Sequence, residues 1–129
     1  MNYKLIILSV IIVLVIDSFY VLAAKNLISQ TILKIQKKPL SVNIFYILLS
    51  YLLIIFALNY FILHNKNLSL REKYLNSFIL GFIIYGVYEV TNAGLFNDWS
   101  SKLIIIDSLW GGILFSLSVF VFKKVKKLV

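Results

Sequence analysis

The chain has 129 residues, 61% of them hydrophobic and only 14% charged, with one Pro, five Gly and no Cys. At a mean hydropathy of +0.96, a soluble domain of this size has too little interior to hide its apolar side chains, whereas lipid solvates them. The lack of Cys excludes disulfides, thiolate chemistry and cysteine metal sites, and the net charge of +8 does not point to nucleic acid, because the Lys residues stand at the ends of apolar runs, beside anionic head groups.

The expectation is therefore an all-α integral membrane protein, a four-helix bundle with short loops, forming one transmembrane domain over 1–129. Four runs of about 20 apolar residues, at 3–24, 42–63, 74–93 and 102–122, match a hydrocarbon core about 30 Å thick. The first run has Lys4 before it and Leu22-Ala23-Ala24 after it, like a secretory signal, but its length and Asp17 argue for a retained span. Between the first two runs, Leu27, Ile28, Ile32 and Ile35 share a stripe opposite Ser29, Gln30, Lys34 and Lys37. Two readings stay open there: a short helix lying in the interface and stopped before Pro39, or an ordinary basic loop.

After the second run, 64–70 reads as a polar connection, and Ser69 and Glu72 have the spacing of a capping box that starts the third helix. Gly94 is the expected end of that helix, and Ser100 or Ser101 the cap of the fourth. With the N-terminus inside, eight Lys and Arg fall on the cytoplasmic side and five on the other, which favours both termini in the cytoplasm. The ending Lys126-Lys127-Leu128-Val129 resembles a dilysine retrieval signal of the endoplasmic reticulum, although positive anchoring explains the same residues.

Three acids fall inside the runs. Asp17, Glu89 and Asp107 all lie about 4 to 8 Å from the midplane, on the outer side. On the third helix Ser77, Gly81, Tyr85, Glu89 and Asn92 form one stripe with Tyr88 beside it; on the first, Ser9, Val13, Asp17, Tyr20 and Ala24 do. The fourth offers Asp107, Trp110, Gly111 and Ser118, and the second an expected inward face of Tyr46, Ser50, Ala57 and Tyr60. Ser108, Gly112 and Ser116 make a small-residue ladder suited to helix packing, within the chain or against a second copy in a homo-oligomer.

An ionised acid near the bilayer centre costs about 2.5 to 3.5 kcal/mol, so three cost roughly 8 to 10 if unpaired. No Lys or Arg lies in the runs at that depth. The acids must therefore share protons, meet water, accept from Tyr, Asn and Trp, or hold a cation. The leading reading is a non-enzymatic membrane protein whose outward-facing cluster of Asp17, Glu89, Asp107, Asn92, Tyr85, Tyr88 and Trp110 binds a proton, cation or small cationic ligand, in one version as a minimal transporter subunit. The rivals are an intramembrane enzyme using Glu89 and Asp107 as an acid–base pair on a lipid or isoprenoid, and a scaffold with a structural polar plug. His64 lies far from the acids, no zinc ligand set is in reach, and no cofactor motif or catalytic triad appears, leaving the lipid bilayer as the one evident partner.

The pattern Tyr88-Glu89-Val90-Thr91-Asn92, then Trp99, then Ile106-Asp107-Ser108-Leu109-Trp110-Gly111, together with Asp17, resembles the four-helix membrane proteins grouped as domain of unknown function 2177. The resemblance spans essentially the whole chain. It implies the same membrane bundle and the same polar residues, with Asp in place of Glu89 in the family pattern.

Overall fold

A computed structural model describes residues 2–128. They form four helices: α1 (Tyr3–Gln36), α2 (Ile44–Leu58, continued by a π-helical turn, Asn59–Leu63), α3 (Leu70–Leu95) and α4 (Ser101–Lys126). All four, counting α2 with its π-helical turn, are long and apolar enough to cross a membrane. Lipid offers no hydrogen bonds, so each span satisfies its own backbone as a helix, and the chain is an all-α multi-pass membrane protein.

α1 is longer than the composition suggests. Asn2 caps it by accepting the Lys4 N–H at 3.0 Å, and its 34 residues extend about 51 Å. The stretch from Leu27 to Gln36 is neither a separate interfacial helix nor a basic loop; it is the last third of α1. Nothing at Ala24-Lys25-Asn26 breaks a helix, and polar residues at the edge of the hydrocarbon region do not end one. The stop comes at Lys37, whose φ of 59° is left-handed, with Pro39 close behind. Gln36 clamps this turn by donating its side-chain N–H to the carbonyls of Lys38 (3.0 Å) and Pro39 (3.1 Å).

α2 starts at an Asn43 cap and widens at Asn59, where the His64 N–H reaches back five residues to the Asn59 carbonyl at 3.1 Å. The Asn59 amide donates to Ser9 Oγ at 2.8 Å and so ties α2 to α1 at this level. The His64 ring stands 6.3 Å from that of Phe122, and burial, with Lys126 and Lys73 nearby, holds its pKa below the usual histidine range.

The Ser69–Glu72 capping box is formed at α3, with Ser69 N–H donating to Glu72 Oε2 (2.7 Å) and Glu72 N–H to Ser69 Oγ (3.2 Å). Gly94 does not end this helix: the chain continues to Leu95 and leaves at Phe96, which is extended. Ser100 caps α4 by accepting the Leu103 N–H at 3.3 Å.

The tightest pair is α3 with α4. Gly81 and Gly111 face each other so closely that a methyl group on either would run into the other's carbonyl oxygen. Gly112 lies under the Phe78 ring, Ser116 donates to the Tyr74 carbonyl at 3.1 Å, and the hydroxyls of Ser77 and Ser116 stand 3.4 Å apart. The small-residue ladder is thus spent inside the chain, and Gly112 is not open to a second copy.

The apolar core fills one half of the bundle, where Ile12 and Val13 of α1 meet Ile55, Leu58 and Ile62 of α2 and Leu114, Phe115 and Val119 of α4. The acids lie in the other half, toward the α3–α4 connection.

Candidate functional site

Asp17 and Glu89 are almost wholly enclosed, at 5% and 0% exposure, and Asp107 is half-buried. All three line one cavity of about 200 Å³. Its remaining walls are Tyr20, Val21, Ile28 and Ile32 of α1, Tyr85 and Tyr88 of α3, Trp99 of the connection and Leu103 of α4. No Lys, Arg or His is among them.

The carboxylates are held differently. Asp17 accepts on both oxygens, from the Trp110 indole N–H at Oδ1 (2.7 Å) and from the Tyr51 hydroxyl at Oδ2. One carboxylate thus joins α1, α2 and α4. Trp110 is itself stacked on Tyr20, ring centres 4.8 Å apart and planes 8° apart.

Glu89 accepts the Trp99 indole N–H on Oε2 at 2.7 Å. Trp99 reaches it because the connection turns tightly, its backbone N–H donating to the Phe96 carbonyl at 3.1 Å, while Tyr88 packs edge-on against its ring. Glu89 Oε1, Asp107 Oδ1 and the Tyr20 hydroxyl, buried atoms of residues that line the cavity, have no hydrogen-bond partner among the described residues.

Of the seven residues singled out from sequence, Asp17, Glu89, Asp107, Tyr85 and Tyr88 line the cavity, the last with 58% of its surface still exposed. Trp110 stands behind Asp17, and Asn92 lies outside the lining, its carbonyl accepting the Phe96 N–H at 2.8 Å. Trp99 and Tyr51 join the cluster without having been singled out as members. Trp99 was visible only through its place between the two family motifs, since a loop has no period to read.

The expected inward face of α2 is rotated away from the bundle. Tyr46 and Tyr60 are 64% and 60% exposed, Ser50 is exposed, and the inward side chains are Tyr51, Ile55, Leu58 and Asn59. Tyr46 and Tyr60 sit near opposite ends of the span, where tyrosine belongs to the aromatic belts at the head groups rather than to a polar interior. From Ile44 to Ser50 every α2 residue is exposed and none lines the cavity, so α2 closes the bundle only from Tyr51 onward.

Among the described residues no three of the His, Asp and Glu side chains are grouped so as to hold a metal ion. The arrangement can accept hydrogen bonds on two carboxylate oxygens and present aromatic faces to whatever occupies the space between them.

Among known proteins, the model of the family "Predicted membrane protein (DUF2177)" matches residues 2–122. No curated protein and no solved structure matches the chain.

Proposed function

From the premise that the chain belongs to the membrane-protein family DUF2177, we propose that it uses the buried carboxylates to bind a proton or a small monovalent cation within the bilayer. One observation carries this reading: Glu89 is fully enclosed, with one oxygen held by Trp99 and the other without a hydrogen-bond partner, and it borders a cavity that it shares with Asp107 and no basic side chain. A buried anion without a counter-charge is costly, and taking up a positive charge relieves that cost. The cavity, at about 200 Å³, does not enclose a lipid or isoprenoid tail, which leaves the enzyme reading without a specific observation in its favour. The scaffold reading would be better served by a filled interior.

The test is thermal unfolding in lipid nanodiscs. Glu89→Gln keeps an acceptor for the Trp99 indole and removes the charge. A monovalent cation at about 100 times its Kd should stabilise the wild type by about 2.7 kcal/mol and leave Glu89→Gln unmoved. Equal shifts in both proteins would refute the cation reading.

Both termini are assigned to the cytoplasm, which puts the α3–α4 connection and the cavity on the outer side; the ladder having been spent on α3, any homo-oligomer would use another apolar face. The retrieval-signal reading ends on Val129, outside the described residues. Because the chain has no Cys, single cysteines report topology cleanly. A membrane-impermeant maleimide applied to intact cells should label Asn97→Cys and not Ser69→Cys; the reverse pattern would invert the assignment.

A further inference from the structure

Four properties of the cavity narrow the kind of cation. Its volume of about 200 Å³ is space for about six waters, far more than a proton or a bare metal ion needs. A hard divalent ion wants six or more oxygen ligands at about 2.0 to 2.6 Å, and among the described residues no three acidic or imidazole side chains are grouped for one. The walls carry four aromatic side chains, Tyr20, Tyr85, Tyr88 and Trp99, and four aliphatic ones, Val21, Ile28, Ile32 and Leu103. Two buried carboxylate oxygens without partners, Glu89 Oε1 and Asp107 Oδ1, belong to residues of neighbouring helices that line this cavity.

We propose that the cavity is a site for a primary alkylammonium ion, whose N–H groups bond Glu89 Oε1 and Asp107 Oδ1 while its short alkyl chain packs among the aliphatic lining residues. This rests on the cation reading above and adds the chemical class. An ammonium with hydrogens to donate satisfies both free oxygens and is attracted to the faces of the surrounding rings. A quaternary ammonium keeps the attraction to the rings but has no hydrogen to give. A neutral alcohol of the same size can donate but brings no charge to balance Glu89. Asp17, each of whose oxygens already accepts one hydrogen bond, from Trp110 and from Tyr51, contributes chiefly its charge.

The chain reports on its own occupancy. Its two tryptophans, Trp99 and Trp110, are bonded to Glu89 and Asp17 respectively, so binding between the carboxylates changes indole emission. The experiment titrates the protein in phosphatidylcholine nanodiscs, at fixed pH and ionic strength, with n-butylammonium, tetramethylammonium, potassium, magnesium and n-butanol. Butylammonium should give a saturable change with a Kd at least 10-fold below those of tetramethylammonium and potassium, and butanol should give none. Glu89→Gln should weaken butylammonium at least 10-fold. Asp107→Asn should do likewise, which covers the case in which the first variant fails to fold. Tighter binding of potassium, magnesium or tetramethylammonium would overturn the alkylammonium assignment and leave the cation site standing. A change in emission with pH that no cation competes for would reduce the site to a proton acceptor. No response to any cation, with both variants folded and like the wild type, would remove both readings.

Discussion

Gly111→Leu should destabilise the bundle by at least about 3 kcal/mol, the top of the usual range for overpacking. A Cβ placed at Gly111 would stand 2.6 Å from Tyr85 Cγ and 2.7 Å from Tyr85 Cβ, and would collide with the Gly81 carbonyl oxygen. The obstacle on that side is backbone, which cannot rotate out of the way, so α3 and α4 would have to part. Helices in lipid gain no hydrophobic drive toward one another and depend on such close approach, and α3 and α4 supply Glu89 and Asp107 to the cavity that α1 completes. Gly94→Ala is the matched control: nothing lies within 4 Å of that position, and replacing a glycine whose backbone an alanine can adopt should add about 0.4 to 1 kcal/mol. Unfolding of both variants in nanodiscs, followed by circular dichroism, checks the pair, and a Gly111→Leu protein that melts like the wild type would contradict the seam.

A second large effect is expected at Asp17, where the two possible replacements should part company. Asp17→Ala strands the Trp110 indole and the Tyr51 hydroxyl in a partly buried place, each at about 1 to 3 kcal/mol, for a total of about 2 to 6 kcal/mol. Asp17→Asn keeps a carbonyl oxygen for the indole and offers its amide to the Tyr51 oxygen, so it should cost less than about 1 kcal/mol. The contrast separates lost hydrogen bonds from lost charge. If Asn proves as damaging as Ala, the charge of Asp17 matters to folding in a way its two donors do not explain.

The spans were legible because about 20 apolar residues in a row have few other uses, and the capping box of α3 because Ser69 and Glu72 carry it in their spacing. That Asp17, Glu89 and Asp107 border one space follows from residue counts along straight helices, which preserve depth and face. Tertiary choices were less accessible. Lys25 and Asn26 look like the end of a span, yet charge ends the hydrocarbon stretch and not the helix, so α1 runs on to Gln36. Tyr46 and Tyr60 share a stripe on α2, but a phenol near a span end is as content at the head groups as in the interior, and sequence does not say which. The partners of the acids, Trp99 from a connection and Tyr51 from a face masked by that stripe, depend on how helices pack and not on any one helix's period.

The length of α1 has a mechanical consequence. It is one rod, tied to α2 near its start by Ser9 and Asn59 and forming a wall of the cavity near its end through Ile28 and Ile32. Beyond Asp17, the last point at which it is bonded to α2 and α4, the lever arm to Ile32 is about 22 Å, so a pivot of about 10° there would swing Ile32 by about 4 Å. At the far end the exposed ion pair between Lys34 and Asp98, 3.8 Å apart, is worth at most about 1 kcal/mol and is a weak latch. Spin labels at Gln36 and Asn97 would measure the swing directly: one narrow distance distribution means a fixed wall, and two populations separated by several ångströms mean that the cavity opens by the leverage of a single helix.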